Sequence, residues 1–230
     1  MRFSYTFELA DGQARTFDVD LDRATLAVIP KPVRRPPSWV ALEYQQCGNC
    51  PLTKRSHPHC PVAFNLIEVV DYFKDRTSIE DAHVRVVSSE REYHKTTSLQ
   101  QAISSLMGIY MVASGCPVMN KLRPMLDTHL PFMSPEESSY RTLSMYLTAQ
   151  YFRMRMGQKP DWELRDFVAH QKEFRETNAG LCQRLRTLGI KDASLNALAT
   201  LNAMGEITSI SVETHDLARW EAIFRAHYQV

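Results

Sequence analysis

Three of the five cysteines are followed directly by proline, in Cys50-Pro51, Cys60-Pro61 and Cys116-Pro117. The first stands inside Cys47-Gly48-Asn49-Cys50, so the chain offers a Cys-x-x-Cys pair, a third thiol after a short loop and a distant fourth. Two thiolates separated by two residues reach one tetrahedral ion, with the amides of the intervening turn directed at the sulfurs. A proline after a ligand cysteine stiffens the exit and removes an amide donor. This is metal-ligating chemistry before it is anything else.

The candidate ligands are Cys47, Cys50, His57, His59, Cys60 and Cys116, and they form two closed sets. One is local: Cys47, Cys50 and Cys60 with either His57 or His59. His59 precedes Cys60 directly, and adjacent residues seldom both turn onto one ion, so the local set favours His57. The other set uses four thiolates, with Cys116 as the last. Cys60 stands at the mouth of an expected helix amino terminus, where the dipole favours thiolate. Four sulfurs with no open position make a structural zinc site, so Zn2+ is the expected metal. A [4Fe-4S] cluster is the competitor, because Cys-Pro pairs and Cys-x-x-Cys with two remoter cysteines also suit iron. Two plainer readings stand beside these. A redox dithiol should follow a strand and open a helix, which the irregular residues 36–46 do not provide. Unliganded thiols are common packing residues, and Cys182, beside Leu181 on an apolar helical stripe, reads as one.

A second polar group carries Arg91, His94, Lys95, Lys121, Arg123 and His129, followed by Glu136 and Glu137. His129 precedes a helix start by a few residues, where its imidazole would lose proton affinity and serve as a neutral base or ligand. With Arg123 and Arg141 it sketches an anion site. The plainer reading gives Glu137 to helix capping and Arg141 to an i, i+4 pair with Glu137. Gln171 and Asn178 fall on an apolar helix face; such amides satisfy each other or backbone groups, or else line a pocket.

The elements that must hold these residues read as α+β. Residues 1–30 alternate as strands around the Asp11-Gly12 turn signal, with a last apolar run at Leu26–Ile29. Residues 31–60 form a proline- and cysteine-rich, metal-binding connector. Residues 61–97 hold a helix opened by Pro61 and a strand at 84–87. Residues 98–230 form a helical bundle. In it, Ser98 with Gln101 and Ser134 with Glu137 make capping boxes. The helix after Ser134 carries Tyr140, Leu143, Leu147, Tyr151 and Met154 on one stripe and Met145, Tyr146, Ala149 and Phe152 beside it, which predicts a central, buried helix. A long helix over 161–186 is bent or divided at Gly180, and two shorter helices near 192–204 and 212–227 close the chain. A single domain over 1–230 is expected, since Cys116 would tie the bundle to the connector.

Composition narrows the classes. Twenty-seven basic against twenty-six acidic residues leave a formal charge of +1, giving no general electrostatic reason for a nucleic acid or anionic membrane partner. No apolar run approaches the roughly 20 residues of a spanning helix. The odd cysteine count, with no leader pattern at the amino terminus, argues against a disulfide framework and makes the cytoplasm the expected compartment.

Cys-Gly-Asn-Cys-Pro-Leu, His-Cys-Pro-Val-Ala, Ser-Gly-Cys-Pro, His-Leu-Pro-Phe and Ser-Met-Tyr-Leu-Thr-Ala-Gln-Tyr-Phe, taken together, resemble a family of uncharacterised bacterial proteins of about this length. The resemblance covers most of the chain. It implies no established activity and places Cys116 with Cys47, Cys50 and Cys60. The expected function is therefore a binding or regulatory protein held together by structural zinc, acting on a protein partner or a second copy of the chain. The alternative is an enzyme or redox protein that uses the four-cysteine site or a polar pocket near His129.

Overall fold

The structure, a computed structural model, describes residues 1–214 and 217–228. Its amino-terminal part is a four-stranded antiparallel sheet in the order β2-β1-β3-β4. β1 (Arg2–Leu9) turns Phe3, Tyr5, Phe7 and Leu9 inward, and β2 (Ala14–Asp20) adds Phe17 and Val19. Alternation has put one face in the core and left the other wet. The turn between them runs through Gly12 at φ +83°, a left-handed conformation that glycine adopts without a Cβ penalty. β3 (Asp81–Val87) pairs with β1 as expected, with Val86 opposite Tyr5. β4 (Glu92–Ser98) was not expected. It is a polar edge strand with no residue fully buried before its end, so hydrophobic alternation cannot announce it. The Leu26–Ile29 run contributes only a bridge between Leu21 and Val28.

The helix after Cys60 is two short pieces, α1 (Pro61–Asn65) and α2 (Ile67–Phe73), interrupted at Leu66. α3 (Leu99–Ala113) follows Ser98 directly, but no side-chain cap forms there, so the Ser98–Gln101 box is not realised. Gly115, at φ +89°, lies just beyond its end. After the short α4 (Pro124–Asp127), α5 (Pro135–Arg155) opens on a complete capping box. Ser134 Oγ accepts from the Glu137 amide at 3.2 Å, and Glu137 Oε2 accepts from the Ser134 amide at 2.8 Å.

α5 is not the central helix. Only Ser139, Thr142, Leu143, Tyr146 and Gln150 are buried, while Tyr151 and Phe152 are about half exposed. A widened apolar stripe predicts burial on several sides, but the residues that are buried fall on one stripe. The central helix is α3, which lies between the sheet and α7 (Ala193–Glu213). α7 runs on well past residue 204, and α6 (Arg165–Arg186) passes through Gly180 without a break. α8 (Ala218–Ile223) is short, and residues 215 and 216 of the expected 212–227 helix lie outside the described residues. One hydrophobic core joins the inner sheet face to α2, α3, α7 and the end of α6. A small satellite of Leu143, Tyr146, Phe167 and Val212 seats α5.

His129 ties the sheet to the segment before α5. Its Nε2 meets the Tyr5 hydroxyl at 2.5 Å, Tyr5 also contacts Ser105 Oγ at 3.0 Å, and the Phe3 ring packs edge-on at 5.0 Å. Burial, with a smaller contribution from Arg141, lowers the imidazole pKa to about 3. Its proton affinity is low for that reason and not because of the helix start after it. An unfolded histidine titrates near about 6.5, so the unfolded chain takes up a proton first as pH falls. His129 therefore contributes stability that is fully present above pH 6.5 or so and lost between there and pH 3. In denaturant titrations over that window, the stability of wild type should fall more steeply than that of His129→Gln, by up to about 1.4 kcal/mol per pH unit. Parallel curves would remove the imidazole from the pH dependence.

Candidate metal centre

The cysteine-bearing connector is irregular, and α6 gives it its shape. Residues 38–42 pair with 58–60: the Cys60 amide donates to Val40 O at 2.8 Å and the Leu42 amide to Pro58 O at 3.0 Å. Arg184 of α6 closes this small loop from beneath. Its Nη1 donates to the carbonyls of Trp39 and Ala41, the latter at 2.7 Å, and its Nη2 to Leu42 O at 3.3 Å. Arg184 is 2% exposed, its guanidinium lies 5.7 Å from the Tyr44 ring centroid, and it makes no ion pair with a carboxylate among the described residues. Burial lowers its pKa, and what opposes this is Cys60 first, then Cys47, Tyr44 and Cys50.

The Cys-x-x-Cys turn lies on the same helix. Asn49 Nδ2 donates to Glu173 O at 2.8 Å, and Cys47 Sγ lies 3.7 Å from Thr177 O. Gly180 makes the approach possible, because a Cβ there would stand 2.6 Å from Cys47 Sγ. The residue expected to bend the helix instead leaves room for a thiol. The Cys50 amide donates to Cys47 O at 3.1 Å, which closes the turn. Cys60 caps α1, whose Phe64 amide donates to Cys60 O at 2.9 Å. Cys116 follows Gly115, and the nearby backbone amides of Met119 and Val118 favour its thiolate.

The four thiols act on one another. Burial pushes Cys47 up to about 12, and Cys60, Cys50 and Cys116 add to the shift in that order. Cys116 is raised by burial, with Cys60 and Cys50 adding and the two amides opposing. Four cysteines spread over residues 47–116 are thus electrostatic neighbours. A thiol pushed up this far is a poor redox nucleophile, which needs a depressed pKa. As they stand, no three His, Cys, Asp or Glu side chains among the described residues form a group able to hold an ion.

The histidines are elsewhere. His57 is exposed, with Nδ1 3.1 Å from Ser56 Oγ, and His59 packs on Phe64 with ring centroids 5.5 Å apart. Neither is among the groups that shift Cys47 or Cys116. Cys182 is partly buried against the core, and its thiol is raised by burial, not by another cysteine. The second polar group is dispersed. His94 and Arg85 both pair with Glu92 on the sheet, Lys121 pairs with Glu173 at 2.5 Å, and Lys95 lies over Phe132. Arg141 makes no ion pair with Glu137 among the described residues. Its Nη2 donates to Thr128 O at 2.6 Å. Gln171 and Asn178 do not bond each other; Asn178 donates to Asn202 Oδ1 at 2.9 Å. Arg184 was missed outright, since an arginine in a last helical turn reads as a solvated partner of the dipole.

A four-stranded sheet, a helical half and a cysteine cluster clamped on α6 define an α+β protein. Over residues 2–225 the chain matches the family described as Domain of unknown function (DUF6901), and it belongs to that family. No curated protein and no solved structure matches it. No helix among the described residues is long and apolar enough to cross a membrane.

Gly180→Ala should drive a methyl against Cys47 and cost about 1–3 kcal/mol through overpacking, despite alanine's better helix propensity. Gly108→Ala in α3 is the control, since its Cβ would meet only Leu201 Cδ2 at 3.6 Å. That change should be neutral or stabilising. Equal effects of the two in urea titrations would remove the close Cys47 approach from the account.

Proposed function

We propose that this chain is a metal-binding protein in which Cys47, Cys50, Cys60 and Cys116 hold one structural zinc ion, joining the connector to α3 and α6. The observation that carries the reading is the buried Arg184, which makes no ion pair with a carboxylate among the described residues and has Cys60, Cys47 and Cys50 as electrostatic neighbours. A buried cation without an anion is costly to keep. Four thiolates around a divalent ion carry a net charge of about minus two, which supplies the missing counter-charge. The amides of Val118 and Met119 on Cys116 support the same reading, since they stabilise thiolate over thiol. The mutual shifts among the four sulfurs favour Cys116 over His57 or His59 as fourth ligand. Closing a shell at about 2.3 Å per Zn–S bond would require the four side chains to draw inward from where they stand. Metal binding would then release thiol protons and add its free energy to folding. With a closed shell the ion is architecture, and the protein works as a binding or regulatory module.

Elemental analysis of anaerobically purified protein should find one zinc per chain. Serine at Cys47, Cys50, Cys60 or Cys116 should each bring metal close to background. Full occupancy in Cys60→Ser would overturn the site. Retained zinc in Cys116→Ser, lost again on adding His57→Ala, would replace the fourth ligand. Iron with visible absorbance would assign the same cysteines to a [4Fe-4S] cluster. Verified chelation should lower the melting temperature by about 8–16 °C, taking about 4 kcal/mol for a site well above its dissociation constant. An unchanged melt would make the metal something other than structural.

A further inference from the structure

A pocket of about 170 Å³ lies between α3, α5, α6 and α7, closed along one side by residues 119–133. Its apolar wall is rich in methionine: Met111, Met119, Met125, Met133 and Met204 all line it. Methionine is the side chain that adapts most readily to an irregular guest. The polar lining is lopsided in charge. Arg141 and Arg175 both reach it, and no aspartate or glutamate does. Arg175 has no hydrogen bond or ion pair among the described residues. Arg141 donates through Nη2 to backbone and hydroxyl oxygens of residues 125 and 128, while its buried Nε has no partner.

Two amides on the same face of α6 complete the lining. Gln171 is 4% exposed and makes no side-chain hydrogen bond among the described residues; its Oε1 lies over Gly205, where a Cβ would come within 3.3 Å. Asn178 is 6% exposed, and its Oδ1 is buried without a partner. Folded chains pair such groups almost without exception, with protein, water or ligand. An apolar pocket with a few convergent polar groups is the usual form of a small-molecule site.

We propose that this pocket binds a small monocarboxylic acid with an apolar body. Its carboxylate pairs with Arg175 and Arg141, and its hydrocarbon lies among the methionines. Neither arginine makes an ion pair among the described residues, which leaves both open to an anion, and guanidinium matches carboxylate geometry. The methionine wall excludes a ligand that is polar all round, such as a free phosphate or a dicarboxylate. The size sets the class further: a cavity of about 150 Å³ admits benzene, so the guest has about six to ten heavy atoms. The site is separate from the cysteines, and its test does not depend on metal.

The test is calorimetric titration and thermal melting of the full chain with sodium hexanoate, against 1-hexanol and inorganic phosphate. Hexanoate should saturate one site per chain and raise the melting temperature, with the alcohol and phosphate each at least tenfold weaker. Arg175→Gln should weaken hexanoate at least tenfold while leaving the unliganded melt unchanged, because Arg175 has no partner to lose. Arg141→Gln should also weaken binding, though it disturbs the 125–128 backbone, so Arg175→Gln decides. Equal binding of hexanol would reduce the pocket to an apolar void, and equal binding of phosphate would reduce it to a surface anion site. Unchanged affinity in Arg175→Gln, or no saturable binding of either hexanoate or phenylacetate, would overturn the proposal.

Discussion

A guanidinium buried without a carboxylate is the constraint around which the connector is organised. Arg184 satisfies its donors on three carbonyls from residues 39–42, so those residues cannot leave α6 without stranding a charge in the core. Breaking such an arrangement from one side costs far more than an exposed contact would, because the charge stays behind unpaired. Irregular backbone gains from this a defined path that no ladder of strand or helix hydrogen bonds provides. The path fixes Cys60, through Val40, and holds the Cys-x-x-Cys turn against the same helix, through Asn49 and the gap left by Gly180. A connector with five prolines and a single 3-10 turn at Ser38–Val40 thereby becomes a fixed presentation of thiols.

The sheet and the helical half meet over α3, and their junction is mostly apolar. Its polar exception is the chain from Ser105 through Tyr5 to Nε2 of His129, in which the imidazole stays neutral. A network of this kind specifies the register of the 119–133 segment on the sheet more sharply than hydrophobic contact alone, because a slip would bury unpaired groups. That segment is also the wall of the methionine pocket, and Met119 at its start brings a backbone amide that favours the Cys116 thiolate. One short stretch between α3 and α5 therefore answers to three sets of contacts.

How much of this was legible in the residues depends on whether a signal is local. The β1–β2 hairpin, the strand at 84–87 and the Ser134 capping box announce themselves through alternation, turn chemistry and spacing, and each formed. β4 did not announce itself, since an edge strand's pairing is paid by the backbone while its side chains remain polar. α5 misled because periodicity reports an apolar surface, not burial of it; Tyr151 and Phe152 contact each other, and both, with Met154, stay about half exposed. The cysteine grouping was visible as spacing, and the structure makes the four thiols electrostatic neighbours. Arg184 and Gly180 were invisible because their roles exist only across a distance of well over a hundred residues, in contacts with Trp39, Ala41, Leu42 and Cys47.

The two candidate sites hang on the same helices. α6 presents Gln171, Arg175 and Asn178 to the pocket and, one to two turns later, Gly180 and Arg184 to the cysteines. α3 lines the pocket through Gln101, Ser105 and Met111 and ends just before Cys116. Packed helices move as units, since close-packed interiors transmit displacement rather than absorb it. A shift of α6 along α7, the helix it packs against, would alter the arginine positions at one end and the surroundings of the sulfurs at the other. The Arg184 clamp opposes that shift at the cysteine end with three hydrogen bonds, whereas the pocket end has the single Asn178–Asn202 bond, and Gln171 and Arg175 are unpartnered among the described residues. Stiffness is thus concentrated beside the thiols and adaptability beside the methionines, the distribution expected when one end of a helix pair is anchored and the other must admit a guest.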